Sequence, residues 1–236
     1  MADSLTGVTS MAARHIFDDL GEHFATLHGH RIHFTAMGGV DAATSVREGL
    51  DVDIVALALD AIEKLEREGH VRAGSRMDYA RSGIALAVPA GAPHASIATE
   101  KEVLGAMLAA GRIACSTGPS GAHLQALWQR WGIVPEMAKR AVLAPAGIPV
   151  AALLARGEAD LGLQQWSEFL GQPGIRILGP LPDPIQQHTV FSAATATRAH
   201  NPDGARAFLR ILHSPQALRI IARHGMSPLG SAGESP

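Results

Sequence analysis

The chain has little of what staples, stacks or anchors a protein. A single cysteine, Cys115, excludes an internal disulfide and fits any redox compartment. Aromatic residues make up only 4%, with one tyrosine and three tryptophans. Trp128, Trp131 and Trp166 read as core or packing residues rather than ligand platforms. Basic residues (20) do not outnumber acidic ones (22), so the cationic excess that a phosphate backbone demands is missing and nucleic acid is excluded as a partner. No window approaches the roughly twenty apolar residues of a membrane span. The start, Met1-Ala-Asp-Ser4, has no basic region followed by an apolar run. There is no phosphate-loop lysine motif and no dinucleotide fingerprint, and Gly118-Pro-Ser-Gly121 lacks the spacing of a nucleophile elbow. His28-Gly-His30 with His33 has no carboxylate or thiolate nearby and reads as a solvated turn. Neither a metal nor a cofactor is expected.

What is present is a globular composition, 47% hydrophobic over 236 residues, enough for one large domain or two lobes. Strands and helices alternate. Leu5 to Val8 reads as a strand, followed by a helix from about Met11 to His28 with Ile16, Leu20 and Phe24 near helical spacing. The unit repeats: Arg31 to Phe34 leads through the glycine turn at Met37-Gly-Gly to a second helix, and the apolar run Asp53 to Leu59 leads to a third over Ala61 to Glu68. Such alternation predicts an α/β protein with parallel, doubly wound sheets. After a strand at Ile84 to Val88, the segment Pro89-Ala-Gly-Ala-Pro93 marks a crossing into a second lobe of the same logic. Residues 1–88 with 189–236 form lobe 1, and 89–188 form lobe 2. Two helices, Pro202 to Leu212 and Pro215 to His224, close the chain, and the tail from Gly230 to Pro236 reads as disordered.

In open α/β sheets ligands lie beyond the carboxyl ends of strands, where helix N-termini converge. The most informative such turn is Ile113-Ala-Cys-Ser-Thr-Gly-Pro-Ser-Gly-Ala-His-Leu124. An apolar strand end runs through small polar residues into a helix, which aims backbone N–H groups and the positive end of a dipole at one point. Ser116, Thr117, Ser120 and Gly121 supply the donors, a socket for a small anion. Three more turns match it: Thr9-Ser10, Met37-Gly38-Gly39 and Gln164-Gln165. Two turns belong to each lobe, which predicts a ligand cleft between them. An ordinary strand-to-helix turn is the plain alternative for each.

Several stretches, in this order, resemble the type II periplasmic-binding fold and, within it, the molybdate-binding protein family: Leu5-Thr-Gly-Val-Thr-Ser-Met11, Gly49-Leu-Asp-Val-Asp-Ile-Val55, Gly157-Glu-Ala-Asp-Leu-Gly162 and Asn201-Pro-Asp-Gly-Ala-Arg-Ala-Phe208. The resemblance implies that Ser10 supplies an anion-binding hydroxyl and that backbone amides near Ser116 to Gly121 and Val150 face the ligand. Two positions depart from the family. Gly38 stands where a serine is usual, and Gln165 where a tyrosine often follows. The combination with Leu163-Gln-Gln-Trp-Ser-Glu168 resembles a divergent branch of aconitate isomerase-like proteins. That branch implies a cofactor-independent allylic proton shift on an unsaturated di- or tricarboxylate, with Gln164 and Gln165 donating to carboxylates. His123, one turn after Ser120, is the candidate base; His188 and Asp41 are weaker candidates. The alternative is a binding protein that delivers an oxyanion or carboxylate to a membrane transporter. Only an exported protein could do that, and the start of the chain favours a cytoplasmic one.

Overall fold

The computed structural model of the protein describes residues 4–93, 95–145 and 147–230. The chain divides into two compact units, Met1–Ser82 with Thr189–Pro236, and Gly83–His188. In chain order the first stretch contains β1 (Leu5–Ser10), α1 (Arg14–His28), β2 (Ile32–Met37), α2 (Gly39–Arg47), β3 (Ile54–Ala58), α3 (Leu59–Arg67) and β4 (Met77–Ser82). The second contains β5 (Ile84–Pro89), α4 (Glu100–Ala109), β6 (Ile113–Cys115), α5 (Pro119–Arg130), α6 (Val134–Met137), β7 (Ala141–Leu143), α7 (Val150–Ala155), β8 (Leu161–Gln165), α8 (Trp166–Phe169) and β9 (Ile175–Pro180). The return to the first unit adds β10 (Thr189–Thr195), α9 (Pro202–Ile211), α10 (Pro215–Arg223) and β11 (Ser227–Pro228). Of the tail expected to be disordered, all but Gly230 lies outside the described residues. Among those described, no helix is long and apolar enough to cross a membrane.

Both sheets are mixed, where simple alternation predicts parallel ones. The first runs β11-β4-β10-β3-β1-β2 and the second β7-β6-β8-β5-β9. In each, three strands are parallel, β2-β1-β3 and β7-β6-β8, because they are joined through helices. β10 lies antiparallel to β3 and β4, and β5 antiparallel to β8 and β9. β5 follows β4 after the single residue Gly83, and β10 follows β9 without an intervening α-helix, so no helical crossover fixes their direction. The unit boundary also falls after Ser82, six residues before the expected one. Ile84–Pro89 cannot end the first unit, because it is spent pairing with β8 and β9.

Each sheet is covered on both faces, and the two-residue period of the strands assigns every side chain to a face. In the first unit Leu5 joins Ile16, Phe17, Leu20, Phe34, Tyr79 and Phe208 under α1, α9 and α10. Val8 joins Val46, Val55, Ile62 and Leu65 under α2 and α3. Buried Asp53 ties the ends of this sheet together: its carboxylate accepts from the Thr6 N–H at 3.0 Å and from the Asn201 N–H at 2.9 Å. Asn201 and Ser214 then cap α9 and α10, with prolines in the first turn where a missing N–H costs nothing. In the second unit Ile84, Leu86, Leu161, Leu163 and Trp128 pack under α4 and α5, while Ala85, Ala87, Ala114, Val150, Leu154 and Phe169 pack under α7. All three tryptophans belong to this second unit, and the one tyrosine, Tyr79, to the first.

Candidate functional site

The parallel strands β7, β6 and β8 end at one edge of the second sheet, and each hands the chain to a helix there. Three helix starts therefore meet where βα turns bind ligands in such sheets. α5 docks closely on its strand. A Cβ added at Gly121 would lie 1.8 Å from the Ser116 carbonyl oxygen, so only glycine permits this approach. Ser116 and Ser120 share a hydroxyl hydrogen bond of 3.3 Å, and the Ser116 hydroxyl accepts from the Gly118 N–H at 3.3 Å. Ser120 is buried, Ser116 half-buried and Thr117 exposed. The first turns of α5 and α7 carry no acidic residue to compete with an anion.

The amides Gln164 and Gln165 are adjacent in sequence but point to opposite faces of the sheet. Gln164 is opposite Ala85 and shares the face packed under α7; Gln165 is opposite Ile84 and shares the face under α5. Both are buried. α7 presses on β8 at Gly162, where a Cβ would meet Val150 Cγ1 at 2.6 Å. This brings the start of α7 over Gln164. Its Oε1 accepts from the Val150 N–H at 3.1 Å, so that N–H, expected to face a ligand, is already satisfied by a side chain. The Gln164 Nε2 donates in turn to Glu168 Oε2.

Glu168 is a candidate group that reasoning from sequence missed. It lies in α8, four residues after Gln164, half-buried against a wall of uncharged residues. Burial pushes its carboxyl up to about 8, because removing the carboxylate from water penalises the charged form. The i, i+4 spacing from Gln164 is visible in the sequence, but the burial depends on α7 and β5, which no local pattern connects to it.

His123 is arranged differently. It lies one turn along α5 from Ser120, but its Nε2 sits 2.7 Å from the Ile185 carbonyl oxygen. A carbonyl only accepts, so Nε2 carries the hydrogen and the ring is pinned to the main chain, leaving Nδ1 to act.

The first unit has its own strand-end donors. Ser10 ends β1, and its buried hydroxyl has no hydrogen-bond partner among the described residues; the same holds for Thr9. Gly38 caps α2, whose first turn carries Asp41. A Cβ added at Gly38 would lie 2.8 Å from Asp41 Oδ2. The space a serine would need there is thus taken by a carboxylate, which opposes an anion at Gly38 and Gly39.

The chain matches the family described as bacterial extracellular solute-binding protein over residues 5–227. An aconitate isomerase from a Pseudomonas species is 37% identical over 178 residues, covering 75% of this chain and 68% of that protein. The molybdate-binding protein of Azotobacter vinelandii is 27% identical over 218 residues, 88% of this chain and 83% of that one. Among solved structures, the periplasmic molybdate-binding protein of Azotobacter vinelandii has a TM-score of 0.81 at 20% identity, covering 97% of this chain and 100% of its own. The sulfate-binding protein of Mycobacterium tuberculosis has a TM-score of 0.76 at 18% identity, covering 97% and 88%. At such identities these structures speak for the fold alone, and it is the two-lobed α/β fold of periplasmic binding proteins. With the match running through both units, this chain belongs to the bacterial extracellular solute-binding protein family.

Proposed function

We propose that this protein binds a small carboxylate anion and, without a cofactor, moves a double bond in an unsaturated di- or tricarboxylate, as an aconitate isomerase does. The observation that carries this reading is the convergence at one sheet edge of the α5 start, the Ser116 and Ser120 hydroxyls and the Gln164–Glu168 pair. Hydroxyls and a helix N-terminus suit a carboxylate, and a protonatable carboxyl just past the end of the neighbouring strand β8 supplies what a plain receptor does not need. The 37% identity to an aconitate isomerase supports the same substrate class. Gly38, with Asp41 in its space, and Gln165 lack the side-chain hydroxyls of a tetrahedral-oxyanion pocket. Ser10, Gly39, Thr117 and Gly121 complete the proposed set of ligand donors.

The second reading is a substrate-binding protein that hands molybdate, another oxyanion or a carboxylate to a membrane transporter. The molybdate-binding relative and the family description favour it. That description supports an exported protein; the cytoplasmic expectation gains no support from the relatives.

One experiment separates the two. Purified protein is incubated with trans-aconitate in deuterated water and followed by proton NMR. An isomerase introduces deuterium at the allylic position and produces the cis isomer, whereas a receptor binds without exchange. A thermal-shift panel of carboxylates against molybdate and tungstate then ranks the ligands, since a ligand specific for the folded state raises its stability. A shift with molybdate and none with any carboxylate would overturn the carboxylate assignment.

A further inference from the structure

We propose that Glu168 is the catalytic proton carrier, taking the allylic proton of the bound polycarboxylate and delivering one two carbons away, with Gln164 as the residue that positions its carboxyl. The inference rests on the isomerase reading above and deepens it.

Three observations carry it. First, Glu168 is held by an amide: Gln164 Nε2 donates to Oε2, and Gln164 is itself fixed through Oε1 by the Val150 N–H at 3.1 Å. The chain from helix start to amide to carboxyl is rigid at its base, because Gln164 is buried in the sheet. Second, the neighbouring elements β8, α7 and β5 carry no charged residue. β8 reads LGLQQ, α7 reads VAALLA and β5 reads IALAVP, and none of these packed elements contains a titratable group. On α8 itself Glu168 is the one acidic residue. A carboxylate among such neighbours is a stronger base than one in water, and its titration near 8 follows from burial alone. Third, the alternative base, His123, has its Nε2 hydrogen on the Ile185 carbonyl.

The step balances without a further reactant. The Glu168 carboxylate forms an O–H bond as the allylic C–H bond breaks, and the electron pair spreads over the adjacent carboxylate as a dienolate. The Glu168 O–H exchanges with solvent while the dienolate stands, a proton passes from it to the far carbon, the double bond re-forms in its new place, and the carboxylate is regenerated. The Ser116 and Ser120 hydroxyls donate to the negative charge as it spreads.

The test uses Glu168→Gln, which keeps the shape and the partner Gln164. Deuterium entry into trans-aconitate should fall by about 100-fold or more, while calorimetric affinity for trans-aconitate changes by less than about threefold. In the wild type kcat should rise with pH along a limb that matches the Glu168 carboxyl followed by carbon-13 NMR, since the ionised form is the base. An exchange rate in Glu168→Gln within about fivefold of wild type, or a limb that does not track Glu168, overturns the assignment while leaving the isomerase reading intact. A wild type that binds trans-aconitate without exchange, or fails to bind it, overturns the isomerase reading and this role with it. If Glu168→Gln does not fold, Glu168→Asp withdraws the carboxyl by one methylene. It should keep binding and lose about tenfold or more in exchange; unchanged exchange counts against the proposal.

Discussion

The two units solve the same local problem with opposite economies of hydrogen bonding. At the strand ends of the first unit, the Thr9 and Ser10 hydroxyls are buried without a partner among the described residues, and a carboxylate, Asp41, lies beside the helix start. At those of the second unit several donors already have internal partners: Ser116 with Ser120, the Val150 N–H with Gln164, and Gln164 with Glu168. A buried hydroxyl left unpaired costs stability and is ready to donate; a paired one is stable but must exchange partners to serve a ligand. The contrast extends to acids. Burial alone would raise Asp19 of the first unit, but hydrogen bonds from His224 and Arg223 outweigh it and hold the carboxyl below its usual range. Glu168 has no cation to offset its burial among the described residues and is pushed up to about 8.

The largest effect should come from breaking the close docking of the second unit. Gly121→Ala places a methyl against the Ser116 carbonyl, and a rigid backbone atom cannot give way as a side-chain tip can. A loss of about 3 kcal/mol or more is expected in urea unfolding followed by circular dichroism. An unchanged midpoint would mean that the α5 start is held less tightly than its geometry implies.

Next is the opposite pH dependence of the two acids. The folded state keeps a proton on Glu168 that the unfolded chain, with an ordinary glutamate near 4.5, has lost. Between about 4.5 and 8 its contribution to stability therefore falls as pH rises, with a slope of at most about 1.4 kcal/mol per pH unit for one proton. Asp19 does the reverse: its contribution is present above the ordinary aspartate range and is lost as pH falls through its lowered folded pKa. Melting curves of wild type and Glu168→Gln across this range should diverge, with the variant gaining on wild type as pH approaches 8. Parallel curves would remove the buried-carboxyl argument.

The two hydroxyl sets can be compared directly with trans-aconitate as ligand. Ser120→Ala removes a donor to an ionised group and should weaken binding by about 1–3 kcal/mol, with a small loss of stability as Ser116 loses its partner. Ser10→Ala should also weaken binding, by about 1 kcal/mol, yet leave the melting temperature unchanged or raised, because no internal bond is lost. Calorimetry and melting of both variants read out both signs. The smallest change is expected for Tyr79→Phe. The Tyr79 hydroxyl is buried without a partner among the described residues, so removing it should alter stability by less than about 1 kcal/mol. A larger loss would reveal a hidden role for that oxygen.

Much of this architecture is legible in the sequence because its signals are local. Apolar strand, small-residue turn and amphipathic helix recur over Leu5–His28 and again over Ile113–Arg130, and the Asn-Pro and Ser-Pro starts of α9 and α10 are read directly. What stays hidden depends on partners distant in the chain. Met77–Ser82 becomes a strand only because β10 and β11 flank it, and β5 is antiparallel to β8 and β9, which come much later in the chain. Gln164 and Gln165 look like a matched pair in one dimension, although the pleat separates them onto two faces. Glu168 is unremarked as a letter in Trp-Ser-Glu; its chemistry comes from the burial of its carboxyl and from the Gln164 amide that donates to it. Val150 was expected to offer its N–H to a ligand, and the side chain that claims it lies fourteen residues later.

The uneven placement of Trp128, Trp131 and Trp166, all in Gly83–His188, makes the molecule optically lopsided. Its intrinsic emission is a private channel from one half, while the other half, with Tyr79 as its one phenol, is nearly dark at the wavelengths that excite indole. Trp166 follows Gln165 directly and precedes Glu168 by two residues, so ligand arrival and proton uptake at that carboxyl can be watched without a label. Events confined to the silent half will pass unseen by the same light.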